Sequence, residues 1–80
     1  MIKYHKQAEK FLLAQGKTNA LRLSAAIEAL PLGDVKRLHG HKNPPLYRLR
    51  VGSYRIVYCV EPDTINILRI DNRGDVYKKL

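Results

Sequence analysis

Leu46-Tyr47-Arg48-Leu49-Arg50-Val51-Gly52-Ser53-Tyr54-Arg55-Ile56-Val57-Tyr58 is the stretch on which the fold turns. Two runs rich in β-branched, aromatic and alternating residues flank Gly52-Ser53, a two-residue connection of the kind that closes a β-hairpin in a type I′ or II′ turn. Such a turn sets the register: with Val51 opposite Tyr54, Arg50 faces Arg55, Leu49 faces Ile56, Arg48 faces Val57 and Tyr47 faces Tyr58. Directly opposed residues share a face of the sheet. Tyr47, Leu49, Val51, Tyr54, Ile56 and Tyr58 therefore form an apolar side, and Arg48, Arg50 and Arg55 gather on the other.

Beyond the hairpin strands, Leu46 to Val51 and Tyr54 to Val60, the run Thr64 to Asp71 continues with the same strand-forming residues, so an antiparallel three-stranded meander is expected. Toward the N-terminus the period changes. Ile2 to Tyr4 reads as a short opening strand. Ala8, Phe11, Leu12 and Gln15 fall at helical spacing over Lys6 to Gln15, with Gly16 as the expected C-cap. Thr18 is the expected N-cap of a second helix whose stripe is Leu23, Ala26, Ile27 and Leu30, ending at Pro31. Leu32 to Pro45, with glycines at 33 and 40 and the Pro44-Pro45 pair, reads as mostly loop with a short extended piece around Val35 to Leu38. Asn72-Arg73-Gly74-Asp75 is a turn signal. The expected fold is α+β, one domain over residues 1–80: a two-helix hairpin packed on a twisted antiparallel β-sheet of three to four strands.

The chain has 80 residues, 45% of them apolar, enough for one modest core. Lysine and arginine number 15 against 7 acidic residues, a formal charge of +8 that implies an acidic partner such as nucleic acid, an anionic membrane surface or an acidic protein. The longest apolar run, Ile56 to Val60, is five residues, far short of the roughly 20 that cross a bilayer, so no membrane span is expected. No apolar segment follows the basic N-terminus as a secretion signal requires. The one cysteine, Cys59, lies inside that run and reads as a buried structural thiol; a cytoplasmic location fits a single free cysteine.

Arginine stays charged at neutral pH and binds phosphate bidentately, which makes Arg48, Arg50 and Arg55 natural ligands for a nucleic-acid backbone. The plainer alternative is three solvated surface charges, but register forces these into one patch. Arg69 extends the patch in one of two registers open to the last strand and leaves it in the other; a salt bridge to Asp71 or a solvated position are its alternatives. His39 and His41 flank Gly40 with no Cys or carboxylate nearby to complete a tetrahedral set, so loop histidines are expected and neither a metal nor a cofactor. No glycine-rich phosphate loop, Ser/His/Asp order or paired catalytic carboxylates are recognisable.

Lys36-Arg37-Leu38-His39-Gly40, the hairpin string from Leu46 to Tyr58, and the ending Asn72-Arg73-Gly74-Asp75-Val76-Tyr77 together resemble the RelE/ParE superfamily of bacterial and archaeal toxins. The order of elements matches over essentially the whole chain. The resemblance implies two helices on a twisted antiparallel sheet and, for RelE-type members, metal-free cleavage of mRNA in the ribosomal A site. Carried over by position, the phosphate-contacting basic residues fall on Arg48, Arg50 and Arg55, and the closing pair on Arg73 and Tyr77. Many members carry lysine in the hairpin where this chain has arginine, and some carry histidine where Tyr77 stands, which leaves the general base open. The resemblance also implies a cognate acidic antitoxin protein that wraps the basic domain in a toxin–antitoxin hetero-oligomer. The function expected is that of a type II toxin acting as an mRNA endonuclease at the ribosome. Its rivals are a ParE-like inhibitor of DNA gyrase and a non-catalytic RNA-binding module.

Overall fold

The hairpin forms in the register its turn dictates. In the computed structural model, which describes residues 1–42 and 44–72, Val51 pairs with Tyr54, Arg50 with Arg55, Leu49 with Ile56, Arg48 with Val57 and Tyr47 with Tyr58. Along the chain the elements are β1 (Ile2–Tyr4), α1 (Lys6–Ala14), α2 (Lys17–Glu28), β2 (Asp34–Lys42), β3 (Pro45–Val51), β4 (Tyr54–Glu61) and β5 (Thr64–Asp71). The strands form a single sheet in the order β1-β5-β4-β3-β2, antiparallel except where β1 runs parallel to β5.

The α+β architecture, with two helices on one face of the sheet, is as expected, but the sheet has five strands rather than three to four. The additional length is β2, which occupies most of the segment read as loop. Its glycines and prolines punctuate the strand instead of replacing it. Gly33 and Pro44 lie just outside its ends, and Gly40, at φ +82°, falls where the β2–β3 register slips between Arg37 and Lys42. Such a slip is the usual place for glycine inside a strand.

The helix boundaries also shift. Gly16 does not cap the end of α1: Gln15 does, and Gly16, extended at φ −63°, is the N-cap of α2, its carbonyl accepting the Ala20 N–H at 2.9 Å. Thr18 consequently lies within the first turn of α2. A connection of two residues leaves no room for a left-handed cap on one helix and a separate hydroxyl cap on the next.

The core lies between the helices and the apolar side of the hairpin. Ala8, Leu23 and Ile27 meet Leu49, Ile56, Tyr58, Ile67 and Ile70, all buried, with Tyr47, Val51 and Tyr54 packed at the margin. Burying each large side chain is worth about 1.5–3 kcal/mol. Polar clasps tie the layers. The Gln7 side chain donates to the Ile70 carbonyl and accepts the Ile70 N–H, both at 3.0 Å, so its amide acts as one more strand residue beyond β1. At the other end of α1, Gln15 accepts the Tyr54 hydroxyl at 3.1 Å, and Phe11 meets the Tyr54 ring edge-on with centroids 6.0 Å apart.

β5 uses both of the registers open to it. From Glu61↔Thr64 to Tyr58↔Ile67 the pairing is regular; it then slips by one, and Val57↔Arg69, Ile56↔Ile70 and Arg55↔Asp71 follow. The extra residue is Leu68, a β-bulge. The bulge is what lets Ile67 and Ile70, three positions apart, both reach the core.

Deleting Leu68 restores strict alternation and expels one end of β5 from the core, so we expect a loss of roughly 2–5 kcal/mol, comparable to truncating a large core side chain. Urea denaturation measures it; near-native stability would mean that the strand pairs equally well without the bulge.

Candidate nucleic-acid interface

On the sheet face opposite the helices, register aligns two rows of charge. Nearest the Gly52-Ser53 turn stand Asp34, Arg50, Arg55 and Asp71; the next row holds Lys36, Arg48, Val57 and Arg69. Arg48, Arg50 and Arg55 thus share one face as expected, and the bulge turns Arg69 onto that face too. Arg73 and Tyr77 lie outside the described residues, as do the side chains of His39 and His41.

Sequence reasoning did not place Asp34, Lys36 and Asp71 on this face, although Lys36 lies in the quoted motif and Asp71 was a candidate partner for Arg69. The signal for the first two was the period-two pattern Asp34, Lys36, Leu38, of which the short extended piece expected around Val35 to Leu38 took in only part. Asp71 required the bulge, whose trace is the Ile67–Ile70 spacing.

The first row balances two arginines against two aspartates, whereas the second is uncompensated within itself. Asp34 crosses between them: its Oδ1 lies 3.3 Å from Arg48 Nη1, which also donates to the Asp34 carbonyl at 3.4 Å. A pair with so exposed an acid is worth about 0–1 kcal/mol. Among the described residues neither Arg50 nor Arg55 has an acid within 4.0 Å. Asp71 is 5% exposed, and its Oδ1 accepts the Asn72 N–H at 2.7 Å. The Arg69 Nε is buried without a hydrogen-bond partner among the described residues, an arrangement that costs about 1–3 kcal/mol. Val57, between Arg48 and Arg69 in the row, is fully buried, consistent with arginine stems lying along it.

Away from the turn the same face becomes apolar. Leu46, Val57 and Cys59 are buried together, with Leu38 and Leu68 beside them. Cys59 is core, as expected. Burial pushes its thiol above the ordinary value, the Glu61 carboxylate adds to this, and a hydrogen bond with Asn66 works the other way. Asn66 in turn donates to Glu61 Oε1. Among the described residues no three His, Cys, Asp or Glu side chains converge as a metal site requires, and no helix is long and apolar enough to cross a membrane.

A two-helix layer on one face of a five-stranded sheet has counterparts in solved toxin–antitoxin complexes. The RelB–RelE complex of Methanococcus jannaschii contains a chain that superimposes with a TM-score of 0.73 at 30% identity, covering 98% of each chain. The RelE–RelB complex of Pyrococcus horikoshii matches at 0.71 and 34% identity, over 91% of this chain and 93% of that one. In sequence, Toxin RelG of Mycobacterium tuberculosis is 33% identical over 67 residues, 72% of this chain and 77% of that protein. Residues 2–77 match the family described as ParE toxin of type II toxin-antitoxin system, parDE. The chain belongs to this family of type II toxins, within the RelE/ParE superfamily.

Because only the thiolate attacks, a buried thiol with a raised pKa is inert. We expect native Cys59 to react with a disulfide reagent at pH 8 at least about tenfold more slowly than the urea-unfolded chain. Equal rates would place the thiol at the surface.

Proposed function

We propose that this toxin, a single domain spanning residues 1–80, is a metal-independent mRNA endonuclease that acts in the cytoplasm on mRNA being translated at the ribosome. The observation that carries the proposal is the pairing of Arg50 with Arg55 beside a row holding Lys36, Arg48 and Arg69. Donors so grouped suit the oxygens of a phosphodiester. The ribose 2′-OH attacks the adjacent phosphate and gives its proton to a base, while the P–O5′ bond breaks and the departing 5′-oxygen takes up a proton, giving a 2′,3′-cyclic phosphate and a 5′-hydroxyl end. Arg48, Arg50 and Arg55 orient and neutralise the phosphate, with Arg69 a further RNA contact on the same face. Arg73 stabilises charge as it develops. Tyr77 stacks on a base or shuttles the proton. No cofactor takes part.

A second reading is favoured by the family match itself, whose description is that of a ParE toxin. In it the same fold inhibits DNA gyrase by binding. Grouped phosphate ligands favour the nuclease.

Both readings are tested together. Purified protein is added to translating ribosomes, with and without chelator, and mRNA ends are mapped; gyrase supercoiling is assayed in parallel. We expect chelator-insensitive cutting, reduced about 10²–10³-fold by Arg55→Ala. Cutting that survives loss of both Arg55 and Arg73, or gyrase inhibition without cutting, overturns the assignment.

The solved relatives are complexes of RelE with RelB antitoxins, and the +8 charge suits an acidic partner. We therefore expect co-expression with an acidic antitoxin encoded beside the gene to abolish growth arrest and to yield a hetero-oligomer on gel filtration. Undiminished arrest counts against that partner.

A further inference from the structure

Arg48 does not project straight from its own row. Its register partner is Lys36, yet its Nη1 is held by the carboxylate and the carbonyl of Asp34, two residues along β2 and opposite Arg50. Two residues of strand span about 7 Å. The guanidinium is therefore drawn along the sheet, out of the Lys36 row and toward the row of Arg50 and Arg55. Repulsion from Lys36, directly opposite, pushes the same way.

We propose that Asp34 is a positioning residue of the phosphate site, holding Arg48 at the flank of Arg50 so that the hairpin arginines present one seat to an RNA phosphate. The proposal rests on the nuclease reading above and adds a residue to it. An acid beside an anion site weakens anion binding through like-charge repulsion, so its place there calls for a compensating role, and orientation is the one the contacts describe. Exposure supports this: the Arg48 side chain is 11% exposed and that of Asp34 58%. The arginine is confined while the acid stays solvated. A pair so exposed on one side is screened by salt and adds little to folding, so its loss changes the direction of Arg48 rather than the integrity of the fold.

Asp34→Asn, Asp34→Glu and the wild type are compared in cleavage of mRNA on translating ribosomes, with thermal melts to verify folding. The expected result for Asp34→Asn is a kcat lower by about tenfold or more together with a lower KM, since removing negative charge tightens RNA binding while misplacing a donor slows the reaction. Asp34→Glu restores most of the kcat. A kcat for Asp34→Asn equal to or above the wild-type value overturns the proposal.

A second measurement does not depend on cutting. Arginine Nε–H signals are followed by NMR as inorganic pyrophosphate is added. In the wild type, Arg48, Arg50 and Arg55 respond together with one dissociation constant; in Asp34→Asn, Arg48 leaves the set. A common response in the variant, or none in the wild type, overturns the proposal. If the wild type cuts no mRNA but the pyrophosphate responses differ as described, the nuclease reading falls and the positioning of Arg48 stands.

Discussion

The two-residue turn at Gly52-Ser53 is the constraint from which both the core and the charged face descend. Gly52 sits at φ +59°, and a Cβ there would lie 2.7 Å from Nη2 of Arg22, reaching over from α2. The backbone conformation disfavours an ordinary side chain, and the Arg22 tip would have to move aside for one. With the turn set, slipping the hairpin by one residue would move Leu49 and Ile56 to the solvent and force arginines into the core. The loss of two buried aliphatic side chains alone amounts to about 3–6 kcal/mol, and buried unpaired guanidiniums would cost more. The register that buries the core is thus the same one that gathers Arg48, Arg50 and Arg55.

The bulge at Leu68 extends that logic to the last strand. Without it, a strand that places Ile65 and Ile67 against the helices would point Ile70 away and bring Arg69 inward. One added residue resolves the conflict: Ile70 pairs with Ile56 on the core side, and Arg69 joins Arg48 on the other. The Gln7 clasp on Ile70 holds the strand just past the slip. A core requirement has therefore placed a cation in the interface, and the two faces of β5 are set together.

What was legible in the sequence was whatever a local signal determined. The hairpin register followed from its turn, and the apolar face from alternation. The helix stripe at Leu23 and Ile27 followed from spacing. What escaped depended on partners distant in sequence. β2 is strand because it finds the edge of β3, whereas Gly40 within it and Gly33, Pro44 and Pro45 around it, read locally, argue for loop. β1 is too short to declare its parallel pairing with β5, which a backbone bond from His5 to the Ile67 carbonyl extends. The Gly16 error was one of competition, since a glycine able to end one helix was taken by the start of the next. In the candidate interface the hairpin arginines were readable, whereas Asp34, Lys36 and Asp71 needed the neighbours of the hairpin to be identified first.

Those neighbours alter the electrostatic argument. Arg50 opposite Arg55 is an unfavourable pairing in isolation, and a face carrying only arginine would oppose folding. The sheet places Asp34 at one end of that row and Asp71 at the other, so the like charges are bracketed by opposite ones across the strands. The row becomes tolerable to the fold, with Asp34 paired to Arg48 rather than to Arg50 opposite it. The adjacent row, with Lys36, Arg48 and Arg69 and no acid of its own, keeps the face cationic.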